Sequence, residues 1–317
     1  MNDKLLLSTS AHIHKKDSIA SIIWIVFLSL LPSGIAGIFI FGLRALWIII
    51  ACIVTAVFTE AIILLLRHKK ITLLDGSAAL TGLLLAYNLP SSLPIWMVCV
   101  GSLFAIAIAK QAFGGLGRNI FNPALAGRAF LLVAWPKYMV SFTKPFIYAD
   151  SVTSATPLVL IKDGKAENIY QMGITYWDLF LGNRGGCIGE VCIICLLAGA
   201  LFLLLRRIIS LHIPLSFIFT LGLLTWLWGG TKVGGADLLF SLIVGGLVLG
   251  AFFMATDYVT SPLTRKGQLI FGFGCGVLTF VIRKWGGYPE GVSFAILMMN
   301  AAVPLLDRFC RPRIYGT

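Results

Sequence analysis

The sequence predicts an all-α integral membrane protein of about ten transmembrane helices, and three observations lead there. Apolar residues fill 58% of the 317 positions and charged residues only 12%, about half the ~25% share of a soluble domain; the mean hydropathy is +0.94. The apolar residues gather into runs close to the ~20 residues that cross a bilayer as helix. The intervals between runs are mostly short, and their lysines and arginines are unevenly placed, as in chains oriented by positive charge. In a soluble chain the net charge of +12 would point to nucleic acid. Here the cations lie in short loops, so no nucleic-acid partner is expected and the main surface faces lipid.

Taken in order, residues up to Ser18 are polar and charged. The first run, Ile19–Phe41, exceeds the ~7–15 residues of a signal-peptide core, and no small-residue cleavage site follows, so it reads as a retained span. The next four runs are Leu46–Leu66, Leu73–Leu89, Pro94–Ala112 and Asn119–Trp135. After the only long polar interval, 136–186, come Cys187–Leu205, Ile213–Trp228, Asp237–Ala255, Gln268–Ile282 and Gly291–Leu306. Runs three, five, eight and ten are short or interrupted by Gly, Pro, Asn or Ser. Such segments survive in a membrane where protein or ligand satisfies the freed backbone groups, so these four are expected to face the interior.

Charge placement sets the orientation. With the N-terminus inside, the inside intervals hold 15 lysines and arginines and the outside intervals nine, five of them in the long interval. Long loops obey the positive-inside bias poorly, so the short-loop comparison is 15 against four. Both termini are therefore expected in the cytoplasm of a multi-pass plasma-membrane (inner-membrane) protein, with 136–186 outside. Residues 1–135 form a first five-helix repeat and 187–317 a second. Asp75 opens run three as Asp237 opens run eight; Gly114-Gly115 precedes run five as Gly286-Gly287 precedes run ten. Thirteen residues beyond the second glycine of each pair stand Arg128 and Asn300. Five spans per half give the halves opposite orientation, an arrangement that commonly places ligands at the repeat interface.

The long interval contains Asp150-Ser151-Val152-Thr153-Ser154-Ala155-Thr156-Pro157-Leu158. Pro157 biases Thr156 towards extended backbone, presenting its hydroxyl. The plain reading is a loop whose hydroxyls bond nearby backbone. The stretch resembles the flavinylation motif of the Rnf and Na+-pumping NADH:quinone oxidoreductase complexes, with Ser154 where glycine is usual. The resemblance runs from Ser10-Ala11-His12-Ile13-His14 to Arg311-Pro312-Arg313. It includes Asp75-Gly76-Ser77-Ala78-Ala79-Leu80-Thr81-Gly82, the long stretch from Gly114 to Phe130, and Thr256-Asp257-Tyr258-Val259-Thr260-Ser261-Pro262. The chain thus resembles the RnfD family, the D-type membrane components of Rnf ion-translocating ferredoxin:NAD oxidoreductases, which is related to the B-type component of the Na+-translocating NADH:quinone reductase.

The resemblance implies covalent FMN, moved from FAD onto Thr156 by a flavin transferase, and a second, non-covalent riboflavin among the helices. The Asn-x-x-Asn-Pro-Ala-Leu stretch implies Asn119, Asn122 and Arg128 for that second flavin. Read from the residues alone, the asparagines equally suit a helix cap and the arginine a carbonyl partner. It implies an electron-carrying component that joins the other Rnf components (A, B, C, E and G) in coupling electron transfer between ferredoxin and NAD to Na+ or H+ translocation. No Rossmann fingerprint and no soluble domain is evident, so the chain holds no complete active site and no catalytic residue is assigned. A channel or transporter for a small polar solute is the alternative that inverted repeats would also suit.

Lys137, Lys144 and Lys162 share the interval with Thr156; they read as solvated charges, with phosphate pairing as a second role. Acids at membrane depth are functional candidates: Glu60, Asp257 and Asp307 are the ion-path candidates, while Asp75 and Asp237 open spans. No metal-ligand set is evident. Cys187-x4-Cys192-x2-Cys195 imitates part of a ferredoxin spacing, but three cysteines on one helix do not converge.

Overall fold

A computed structural model describes residues 18–69, 73–143, 145–146, 153–154, 158, 175–228, 238–287 and 290–310, with backbone alone at Thr153, Ser154 and Leu238. The long outer helices set its frame. Helix α1 is Ile19–Phe41, capped where the Ser18 side chain accepts from Ser21 N–H (3.1 Å). Helix α2, Leu43–Leu66, follows across Gly42. At 24 residues it spans roughly 36 Å, enough for a bilayer's ~30 Å core. Both helices expose Leu28, Ile35, Phe39, Trp47, Val54 and Phe58 on their outer faces. A continuous apolar surface of that kind marks a lipid-facing wall.

The inner helices are shorter. A 3₁₀ turn at Leu73–Asp75 leads into α3, Ser77–Tyr87. Helix α4, Ile95–Phe104, continues as a π-helical segment, Ala105–Gln111, and α5 is Pro123–Ala134. The four-residue α6, Pro136–Met139, precedes a two-stranded antiparallel ribbon, β1 Phe142–Thr143 and β2 Thr153–Ser154. Then come α7 Tyr176–Leu181, α8 Ile193–Leu205 and α9 His212–Trp228. Helix α10, Leu238–Ile243, is separated by Gly245 and Gly246, both at positive φ, from α11 Leu247–Leu249 and its π-helical continuation Gly250–Met254. Helices α12 (Arg265–Trp285) and α13 (Val292–Phe309) complete the bundle.

Loop contacts define two ends. At one, Trp24 Nε1 donates to Leu74 O (3.2 Å), Arg67 to Gln111 O (2.6 Å) and Leu263 N to Asp307 Oδ1 (3.1 Å). At the other, Phe146 N donates to Ile40 O (3.0 Å), Arg44 to Ser92 O (3.0 Å) and Lys284 to Trp228 O (2.8 Å). The described helices cross between these ends ten times, so α1 starts and α13 finishes at the same end. They are called the Asn122 end and the Arg184 end below.

Several helix ends shift by three or four residues from the sequence runs, and three runs differ in character. Run six does not begin as helix at Cys187. Residues 187–191 form a turn that pairs with the end of α3, where Ile188 N donates to Leu89 O and Gly189 N to Tyr87 O (both 3.1 Å). A Cβ on Gly189 would collide with the Tyr87 ring, so this turn closes only on glycine. Run four bends into π geometry, which carries Lys110 and Gln111 inwards. Run ten is not short: α13 has 18 residues and sends mainly its first half, including Ser293, Ile296 and Asn300, into the interior. Runs three, five and eight are interior, as their broken patterns predict; nine of the residues of α3 are buried.

Candidate functional site

A cleft opens at the Asn122 end between α1, α3, α5 and the π-helical segment after α11. The empty space between these elements, open mouth included, is ≈ 830 Å³. Apolar walls from Leu80, Leu84, Phe252 and Phe253 carry a few polar groups: Ser77, Thr81, Lys110, Asn119, Asn122 and Asp257. Amides, hydroxyls, one ammonium and one carboxylate thus meet apolar side chains in one cleft.

Sequence grouped Asn119, Asn122 and Arg128; the structure separates them. Asn119 and Asn122 both line the cleft, but not as one face of a helix. Helix α5 starts only at Pro123, because the residue before proline avoids α geometry, and Asn122 is its cap. Its Oδ1 accepts from Ala124 N (3.1 Å) and Leu125 N (3.3 Å), and its Nδ2 donates to Met254 O (3.3 Å). With the Asn300 amide turned to suit its neighbours, Asn300 Oδ1 accepts from Asn122 N (3.1 Å) and its nitrogen donates to Thr260 O. Asn119 lies in the preceding loop and donates to Phe121 O (3.1 Å). Arg128, about one and a half turns along α5, does not line the cleft and instead joins a second cluster nearer the Arg184 end.

In that cluster Arg128 donates to Asn88 Oδ1 (2.9 Å), Ser293 Oγ (2.9 Å) and Glu190 Oε1 (3.4 Å), and pairs closely with Glu290. Cys187, Glu190 and Glu290 bring ligand atoms within 4.8 Å of one another. The Arg128 guanidinium contacts all three, so the position suited to a metal already holds a cation. Arg184 and Arg283 lie nearby, buried. Arg184 donates to Glu190 O (3.2 Å) and Ile243 O (3.3 Å); Arg283 donates to Ser241 O (2.7 Å) and Val244 O (3.0 Å). Gly246 stands at φ 67°, where glycine is favoured, and a Cβ there would force the end of the Glu190 side chain to shift. Sequence reasoning missed Glu190, Glu290, Arg184 and Arg283. The available signal was charge beside glycine pairs, at Arg184-Gly185-Gly186 and Gly287-Tyr288-Pro289-Glu290.

Thr156 lies outside the described residues, as does Asp237. Their neighbours are informative for Thr156. Ser154 pairs with Phe142 across the ribbon, and β1 is pinned to the α3–α4 turn by Ser91 to Thr143 and by Ser92 Oγ to Ser141 O (2.5 Å). Leu158 is buried with Leu179, Ile193, Phe240, Ile243 and Val244. The motif is thus anchored to the Arg184 end two residues before and two residues after Thr156. Of the nominated lysines, Lys137 is exposed; Lys144 and Lys162 lie outside the described residues.

The acids sort by partner. Glu60, 4% exposed, is not solitary: Lys110 Nζ sits 2.8 Å from Oε1, Gln111 Nε2 donates at 2.7 Å, and Lys110 also reaches Ser77 Oγ at 2.7 Å. Lys110 therefore is not the loop charge that the sequence count took it for, and Arg283 is likewise buried; the charge asymmetry survives without them. Asp257 accepts from Thr260 Oγ1 (3.1 Å), and burial in its turn pushes its carboxyl up from the usual range. Asp307 holds Leu263 N, and Asp75 accepts from Ser77 N (2.9 Å) to start α3. The cysteines are free, and Cys192 and Cys195 lie 3.3 Å apart with Cys187 elsewhere, against Arg128.

Similarity to known proteins covers the whole length. Residues 6–316 match the model of the NQR2, RnfD, RnfE family. The D component of the proton-translocating ferredoxin:NAD(+) oxidoreductase complex of Clostridium ljungdahlii is 48% identical, covering 98% of this chain and 96% of its own. The D component of the Na(+)-translocating ferredoxin:NAD(+) oxidoreductase complex of Acetobacterium woodii is 49% identical over 100% of this chain and 97% of its own. The D component of the ion-translocating oxidoreductase complex of Stutzerimonas stutzeri is 42% identical over 95% and 93%. With a bundle of long apolar and shorter interior helices and full-length matches of this order, the chain belongs to the NQR2, RnfD, RnfE family.

Proposed function

We propose that this chain is the electron-carrying membrane component of an Rnf-type complex, holding covalent FMN on Thr156 and riboflavin in the cleft at Asn119 and Asn122. The observation that carries the reading is the separation of two suitable places. The Thr156 motif is tied to the Arg184 end by the ribbon and Leu158, and the cleft opens at the Asn122 end. A pair of flavins so placed would divide the membrane crossing into shorter steps. Flavins supply one- and two-electron carriage when bound; the chain's residues hold and insulate them.

On this reading Thr156 Oγ replaces AMP on the flavin phosphate of FAD. The P–O–P link breaks, AMP leaves with the hydroxyl proton, and a phosphodiester carrying one negative charge remains. A flavin transferase performs that step outside the cytoplasm, so 136–186 faces outwards and both termini lie in the cytoplasm, as the short-loop charges favour. Asn122 keeps its capping and clamping bonds and offers the cleft a rigid edge, while Asn119 supplies the more adaptable amide. Arg128 leaves the riboflavin site and serves the interior ion cluster.

The A, B, C, E and G components of such a complex would carry out the ferredoxin and NAD chemistry. Similar proteins named for protons and for sodium match this chain at 48% and 49%, so overall likeness does not choose the ion. The two five-helix halves, 1–135 and 187–317, form an inverted pair in this proposal, supported by α5 and α13 meeting at Asn122 and Asn300. The test is flavin chemistry on the purified chain. Denatured protein should retain one fluorescent flavin in gels and release a second as free riboflavin. Absence of a retained flavin from protein made with its transferase would end the reading.

A further inference from the structure

A second pocket opens at the Asn122 end and shares Ile208, Ile209, Thr256 and Tyr258 with the cleft. Its volume is ≈ 360 Å³, and Arg207, Ser210, Ile213, Ser261 and Gln268 complete the lining. Three hydrogen bonds brace it. Tyr258 donates to Ile208 O, Ser210 Oγ donates to Gln268 Oε1 (2.9 Å), and Gln268 Nε2 donates to Pro262 O (3.2 Å). The turn between α8 and α9, the loop before α12 and the first turns of α12 are thereby held as one frame.

The donors that this bracing leaves over suit an anion. Helix α8 ends as Arg207 N donates to Leu204 O (2.9 Å) and Ile208 N to Leu203 O (3.0 Å), which sets Arg207 in the lining at φ 56°. Among the described residues its guanidinium has no hydrogen bond and no ion pair. The Ser261 hydroxyl has no partner among them either, and the Gln268 amide keeps a second N–H. The lining holds no carboxylate. Asp257 lines the cleft instead, and Asp307 accepts from Leu263 N (3.1 Å). Arg265 and Lys266 are exposed in the first turn of α12, which carries no acid, and add positive charge beside Gln268. An arginine fork with a hydroxyl and an amide matches a phosphate group in shape as well as charge.

Apolar surface begins beside the polar lining. Leu211, next to Ser210, and Leu269, next to Gln268, are exposed, as is Leu215 one turn along α9. Helices α9 and α12 are joined there, where Ser216 Oγ donates to Leu269 O (2.7 Å). A phosphate headgroup seated at Arg207 has leucines at hand for its acyl chains, which a free phosphate could not use. Basic pockets between helix ends at the membrane surface are a recurrent setting for acidic headgroups. We infer that this pocket binds the phosphodiester headgroup of an anionic phospholipid, with Arg207 as the principal contact and Ser261 and Gln268 as further donors. The site does not depend on the flavin reading above.

The experiment uses the assembled complex, delipidated in detergent, and follows thermal unfolding of this chain during titration with phosphatidylglycerol in mixed micelles. Zwitterionic phosphatidylcholine and inorganic phosphate, at matched ionic strength, are titrated beside it. Phosphatidylglycerol should raise Tm saturably at concentrations where phosphatidylcholine has little effect. Arg207→Gln should weaken that binding about tenfold or more, and Ser261→Ala should weaken it less. Arg207 is exposed, so the lipid-free Tm of Arg207→Gln should match that of the unaltered chain. Arg206 lies over the Phe202 ring of its own helix, 5.5 Å from the centroid, so Arg206→Gln should leave binding unchanged. Equal shifts with phosphatidylcholine, or a phosphatidylglycerol shift that ignores Arg207, overturn the site. Inorganic phosphate matching the lipid in extent and affinity overturns the lipid in favour of a soluble phosphate. No shift with any probe also overturns it, and loss of a neighbouring component from the Arg207→Gln complex would then give the pocket to a protein partner.

Discussion

Glu60 and Lys110, 50 residues apart in sequence, form a buried ion pair at 2.8 Å between α2 and the π-helical end of α4. The pair is completed by Gln111 on the carboxylate and Ser77 on the ammonium, and Lys110 lines the cleft at the Asn122 end. On the proposed flavin reading of that cleft, the buried pair would feel the Coulomb field of an added electron, which is strong where the dielectric is low.

Breaking that pair from one side leaves a buried charge without a partner. Lys110→Met is expected to destabilise the chain by about 3–5 kcal/mol, and Glu60→Gln with Lys110→Met to recover most of it. Detergent thermal unfolding of the single and double variants gives the comparison; a double variant no better than Lys110→Met alone would show that the two residues do not act as a pair.

Glu60→Gln keeps shape and removes charge. If Glu60 contributes to coupling, ion uptake into vesicles should fall more than electron transfer does. Unchanged transport per electron assigns Glu60 and Lys110 a structural role and moves the ion path to other residues.

On the proposed attachment to the last hydroxyl of the motif, Thr156→Ala is expected to abolish in-gel flavin fluorescence, and Ser154→Ala to preserve much of it. Gels of the two variants beside the unaltered chain decide this in one run.

Asn122 and Asn119 separate fold from ligand. Asn122→Ala removes the α5 cap and should cost about 1 kcal/mol whether or not riboflavin is present. Asn119→Ala should leave unfolding nearly unchanged and lower the riboflavin released on denaturation. Full riboflavin content in Asn119→Ala would remove that amide from the site.

Gly246 sits at φ 67° with the Glu190 carboxylate pressed against it. Gly246→Ala adds both backbone strain and overpacking, and about 1–3 kcal/mol of destabilisation is expected. A neutral outcome would mean that the α10–α11 break relaxes freely.

Membrane orientation has a direct check. An outside-only thiol reagent should label a cysteine introduced at Gly164 and miss one at Lys69, after the native cysteines are removed. The reverse pattern would place the Thr156 loop on the cytoplasmic side.

The sequence by itself determined the helical membrane class and the bounds of the first outer helix. Ile19–Phe41 was legible to the residue because a lipid-facing helix is specified locally: each residue meets the same apolar solvent, and length follows from bilayer thickness. The broken character of runs three, five and eight was legible for the same reason, since Gly, Pro and Asn act on their own backbone. The identity of partners was not. Glu60 looked solitary because a linear reading sees only its apolar neighbours, whereas its cation arrives from 50 residues away on a π turn. Arg128 looked like a companion of Asn122, six residues earlier on the same run, until α5 started at Pro123 and turned it towards Glu190 and Glu290. Arg184 and Arg283 looked like loop charges until packing buried them around the Gly245-Gly246 break. Burial of a charge is a property of the assembled interior, where the cost of desolvation makes every partner matter, and only the tertiary structure decides which partner that is.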